Sequence, residues 1–122
     1  MRFVTPQLHR ILDFVTIGAF ALAPTAVPLV GGAAIVAYAL AVIHLGITLT
    51  TQFSPNGGGL LPLRGHGAVE AIVGIALLAL PLAAGWTGRA RVFYLIAGAV
   101  ILVVSAVSKY RVEQPSSIRA AV

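Results

Sequence analysis

The chain has 122 residues, of which 59% are hydrophobic and 9% charged, and its mean hydropathy is +1.01. A water-soluble domain of this size needs a far more polar surface, so composition excludes one and makes the lipid bilayer the solvent. The formal charge of +5 comes from basic residues scattered singly at segment ends, a topology signal that excludes a nucleic-acid partner, and the absence of cysteine excludes disulfides and thiolate metal sites.

In chain order, residues 1–8 are a short lead-in placed at the membrane interface, with Pro6 suited to the first turn of the helix that follows. Apolar stretches then run over 14–30, 33–49, 71–85 and 92–107. With its polar ends each reaches the roughly 20 residues that cross a ~30 Å hydrocarbon core. The runs are continuous and not alternating, which predicts helices. The first is read as a span and not as a signal peptide, because His9, Arg10 and Asp13 stand at its entrance and its counterpart lies in mid-chain. Pro24 and Pro28 end it, and Val30-Gly31-Gly32 forms a tight outer hairpin. Ser54-Pro55-Asn56-Gly57-Gly58-Gly59 is the flexible joint, followed by Leu60, Leu61 and Leu63, apolar enough to dip into the interface. Trp86 and Tyr110 close the third and fourth spans as aromatic-belt residues, and a polar tail from Arg111 onward is expected to be disordered.

The most informative pattern is a duplication. His9 and Asp13 recur 57 residues later as His66 and Glu70. The same offset matches Pro24 to Pro81, Gly31 to Gly88, Ala33 to Ala90 and Leu45 to Leu102, and Thr48, Thr51 and Phe53 to Ser105, Ser108 and Tyr110. The expected fold class is therefore all-α, with four transmembrane helices built from two parallel two-helix repeats. Repeat 1 covers 1–53, the Gly/Pro linker 54–61, repeat 2 62–110 and the tail 111–122. If the spans alternate, Arg2, Arg10, Arg64, Lys109, Arg111 and Arg119 share one side against Arg89 and Arg91, which puts both termini in the cytoplasm of a cell membrane.

Residues four apart share a helix face, so each His can donate to its acid, and a parallel repeat sets all four side chains in one layer. Two readings follow. In the first, the pairs are structural clasps, bonded to each other or to Arg10, Arg64 or Lys109. In the second, His9 and His66 are axial ligands of a haem, or His9, Asp13, His66 and Glu70 hold zinc, iron or manganese. His44, with Ile101 at its counterpart position, is a further candidate cofactor ligand; its bland role is a neutral imidazole bonded to nearby backbone or hydroxyl groups. Small residues such as Gly18, Gly74 and Gly98 allow close helix approach.

The layout Pro6-x-x-His9-x-x-x-Asp13, repeated as His66-x-x-x-Glu70 with a proline at the far end of each first helix, resembles the small bacterial membrane proteins of the SPW-repeat type. Where that family carries Ser-Pro-Trp, this chain has Ala23-Pro24-Thr25 and Leu80-Pro81-Leu82. The resemblance implies a four-helix, two-repeat protein of the bacterial inner membrane and no particular activity. With no soluble-enzyme motif in the chain, the leading expectation is a non-enzymatic accessory or scaffold component that forms a homo-oligomer or joins a larger membrane complex. The alternatives are a haem- or metal-binding redox or proton-transfer protein and, more remotely, an oligomeric channel or small transporter, since the outer half of each span lacks a polar lining.

Overall fold

The computed structural model describes residues 1–112; the expected disordered tail falls, from residue 113 on, outside the described residues. Four helices dominate it: α1 (Pro6–Ala26), α2 (Gly31–Thr50), α3 (Leu63–Ala83) and α4 (Gly88–Val107). Two short strands, β1 (Thr51–Gln52) and β2 (Leu61–Pro62), lie between α2 and α3. Helices of 20 or 21 residues are about 30 Å long at ~1.5 Å per residue, the thickness of a hydrocarbon core. Three of them, α2, α3 and α4, are long and apolar enough to cross a membrane. α1 is as long, but His9, Arg10 and Asp13 in its first turns lower its hydropathy. Bulky apolar side chains point outward, among them Ile35, Val42, Ile72, Ile75 and Val103, where a soluble protein carries charge.

Local chemistry sets the helix ends. Thr5 caps α1, its hydroxyl oxygen accepting from the Leu8 N–H at 3.2 Å, and Pro6 follows at a position that needs no donor. Pro24 does not stop α1, which runs two residues further, and Pro81 lies likewise within α3. Near a helix end the missing N–H costs one bond and leaves room to terminate. α2 and α4 each open on a glycine with φ of +57°, Gly31 and Gly88, a left-handed conformation that other residues adopt only with strain.

The two hairpins are tied together at one end. Thr51 and Gln52 pair in parallel with Leu61 and Pro62. Val4 bridges Ser108, also in parallel, with the Phe3 and Val4 N–H groups donating to the Val107 carbonyl at 2.9 and 3.0 Å and Lys109 N–H to Val4 at 2.9 Å. The segment before α1 therefore lies along the segment after α4, a pairing that composition did not predict for the lead-in. Along the bundle, α1 packs mainly on α2 and α3 on α4. The α3–α4 contact is close: a Cβ on Gly98 would sit 2.9 Å from the Gly74 carbonyl oxygen. Phe20, Ala33, Ala37, Leu77 and Tyr94 fill the core farther from the tied end, and the buried Tyr94 hydroxyl donates to the Ala33 carbonyl at 2.6 Å.

Candidate metal centre

Four polar side chains from the first turns of α1 and α3 converge in the bundle interior. His9 and His66 are completely buried, and Asp13 and Glu70 nearly so. One donor atom from each lies within 4.8 Å of all the others. Within helices, His9 Nε2 is 3.3 Å from Asp13 Oδ1 and His66 Nε2 is 3.5 Å from Glu70 Oε1. Across the bundle, His9 Nε2 is 3.0 Å from Glu70 Oε2 and His66 Nε2 is 3.3 Å from Asp13 Oδ2. Each acid thus stands between two imidazoles, one from its own helix and one from the other hairpin.

The far side of each ring is anchored. His9 Nδ1 is 2.7 Å from Ser108 Oγ, and His66 Nδ1 is 2.8 Å from Thr51 Oγ1. Both hydroxyls donate their single hydrogen back to a helix carbonyl, Ser108 to Val104 at 2.6 Å and Thr51 to Ile47 at 2.7 Å. They therefore face the rings as acceptors, so Nδ1 carries the hydrogen in both histidines. In the neutral ring this leaves the Nε2 lone pair directed at the acids, the tautomer that a metal ligand requires.

In that tautomer the Nε2 lone pairs of His9 and His66 and the carboxylate oxygens face one another with no hydrogen between them. Nε2 of His9, His44 and His66 and Oε2 of Glu70 are buried with no hydrogen-bond partner of acceptable geometry, although opposite groups lie within 4 Å. Orphaned polar atoms in a low-dielectric interior are costly, and a cation placed among them would satisfy several at once.

His44 enters from α2, its Nε2 3.5 Å from Asp13 Oδ1 and 3.9 Å from Glu70 Oε1. It faces the acids and not a backbone or hydroxyl partner, and Thr48, one turn on, donates weakly to Asp13 Oδ2 at 3.4 Å. The basic residues expected as clasp partners stay away: among the described residues the ion-pair partners of both acids are histidines. Arg10 instead lies over the rings of Phe14 and Phe53, at 6.0 and 5.9 Å.

Two aromatic rings roof the cluster. Phe53 is 5.6 Å from the His66 ring and Tyr110 is 5.7 Å from the His9 ring, both nearly edge-on. Tyr110 is therefore a lid and not a lipid-facing belt residue; it follows the end of α4 and folds back against Gly67, where any Cβ would collide with its ring. Burial pushes its phenol above the ordinary value. A groove of about 20 Å³, lined by His44 and Ile47 of α2, Glu70 and Val73 of α3 and Ile101 of α4, reaches the cluster. It has room for one water-sized ligand.

No family model matches the chain, and no curated protein or solved structure matches it.

Proposed function

We propose that the chain is a small integral membrane protein of four spans, made of two parallel related hairpins with both termini cytoplasmic, that holds one divalent transition-metal ion between His9, Asp13, His66 and Glu70, with His44 as a fifth donor. The observation that carries this reading is the set of unpaired Nε2 nitrogens facing two carboxylates in a buried site. Tetrahedral zinc bonds of about 2.0–2.1 Å imply ligand separations of about 3.3–3.4 Å. The four principal nitrogen–oxygen distances run from 3.0 to 3.5 Å. Charge agrees as well, since two carboxylates balance a divalent ion where an isolated charge is expensive.

Mixed imidazole and carboxylate donors favour zinc, iron or manganese over calcium and magnesium. A haem fits poorly. A porphyrin needs an open slot between its axial imidazoles, and here the carboxyl groups of Asp13 and Glu70 occupy that space, 3.0–3.5 Å from the ring nitrogens.

The related hairpins are supported by contacts that recur at the offset read from the sequence. His9 meets Ser108 as His66 meets Thr51, Tyr110 covers His9 as Phe53 covers His66, and the Val4–Ser108 bridge parallels the Thr51–Leu61 pair. Each hairpin supplies half of the site, which accounts for an acid shared between the two histidines. The resemblance to SPW-repeat proteins belongs to this same reading.

The test is metal retention. Protein purified in detergent, stripped with a chelator, incubated with zinc and desalted should keep one zinc per chain, and the His9→Ala/His66→Ala double variant should keep none. A folded wild-type protein that emerges metal-free contradicts the reading.

A further inference from the structure

The bundle end that carries both described chain ends also gathers positive charge into one place. Arg2, Arg64, Lys109 and Arg111 line a single open cavity of about 350 Å³, with Tyr110 as the remaining wall. Backbone pairing assembles it: the bonds from Phe3 and Val4 to Val107, and from Lys109 to Val4, lay Arg2 beside Lys109 and Arg111. Arg64 comes from the first turn of α3, a helix with no side-chain cap on its start, so the positive end of its dipole adds to the same side. The Arg2 guanidinium lies 5.8 Å above the Tyr110 ring, which holds it over the cavity. Among the described residues no carboxylate lines the space, and their two acids, Asp13 and Glu70, are buried beneath the Tyr110 lid.

Topology requires basic residues on one side of the membrane, yet it does not require four of them to share a cavity, where they repel one another. We infer that this cavity binds a phosphate-bearing anion at the membrane surface, either the headgroup of an anionic phospholipid or free inorganic phosphate. Three guanidinium groups offer paired donors that match phosphate oxygens, and Lys109 adds a point charge. The position suits a headgroup: three of the cations flank α1 and α4 and the fourth sits in the first turn of α3, at the level where a 20-residue span leaves the hydrocarbon. This site is separate from the metal centre and stands or falls without it.

The test uses the purified, delipidated protein in a non-ionic, phosphate-free detergent. Thermal unfolding is followed while short-chain phosphatidylglycerol, short-chain phosphatidylcholine or inorganic phosphate is added. Phosphatidylglycerol should raise the Tm in a saturable way, and phosphatidylcholine should not. Arg64→Gln/Lys109→Gln should raise the half-saturating concentration about thirtyfold, from the loss of two basic contacts. Arg2→Gln/Arg111→Gln should behave alike, whereas Arg89→Gln/Arg91→Gln, at the other end of the bundle, should respond as wild type. If inorganic phosphate alone reproduces the shift, the site stands and its ligand is the free anion. If neither anion raises the Tm, if phosphatidylcholine acts equally, or if both cavity variants respond as wild type, the inference is overturned.

Discussion

His9 and Ser108 meet 2.7 Å apart across 99 residues of sequence, and the serine hydroxyl is already committed to the Val104 carbonyl. The contact fixes both the rotation of the imidazole and the nitrogen that carries its hydrogen. Ser108→Ala should leave the bundle folded, with a loss of about 0.5–1.5 kcal/mol, and weaken zinc binding about ten- to a hundredfold, as loss of an outer-shell partner does. Thr51→Val should do the same through His66. Competition between the protein and a chelating dye reads the affinity; an unchanged value in both variants would mean that the hydroxyls do not orient the ligands.

The four cluster residues should differ in the metal-free protein. His66→Leu removes the group facing both Asp13 Oδ2 and Glu70 Oε1 and leaves two buried acids short of a partner, at a cost of about 1–3 kcal/mol. His9→Leu should cost a similar amount. Asp13→Asn and Glu70→Gln keep an acceptor while removing a buried charge, so they should be milder. Thermal unfolding in detergent with excess chelator ranks the four; amide variants far less stable than both leucine variants would show that the acids are held by something other than these histidines.

Much of the site was legible because duplication marks polar residues in an apolar chain. The spacing of His9 to Asp13 and of His66 to Glu70 placed each pair on one helix face, and the offset placed both in one layer. His44 was harder to assign, because it has no counterpart and a lone histidine in a span does not declare its partner; its direction toward Asp13 depends on how α2 rotates against α1. Thr51 and Ser108 were visible as a matched hydroxyl pair, but their bonds to the histidines cross from one hairpin to the other, which no local pattern encodes. Tyr110 was misread as a belt residue for a related reason. A terminal aromatic has the same signature whether it faces lipid or folds inward, and the open face of Gly67 that receives it is a tertiary feature.

Glycines on different faces should respond to different extents. Gly98→Leu forces side-chain atoms against the Gly74 carbonyl and Leu78, and should destabilise by about 1–3 kcal/mol by prying α3 from α4. Gly18→Ala, with nothing within 4 Å of its new Cβ, should be nearly neutral. Equal Tm values for the two variants would contradict the close packing of α3 on α4.

Both described ends lie at one end of the bundle, joined by the Val4–Ser108 bridge, and the proposed four-span arrangement puts them on one side of the membrane. Reporter fusions after Arg111 and before Met1 should both report the cytoplasm, and one inserted between Gly31 and Gly32 should report the outside. Opposite sides for the two ends would be incompatible with α1 as a span.

The most direct measurement is X-ray absorption at the zinc edge of the zinc-loaded wild-type protein in detergent. It should give four or five nitrogen and oxygen neighbours at about 2.0–2.1 Å, with the outer-shell scattering of imidazole rings, and His9→Ala/His66→Ala should lose that signature. A wild-type spectrum of hydrated zinc with no imidazole contribution would contradict a metal centre between His9, Asp13, His66 and Glu70.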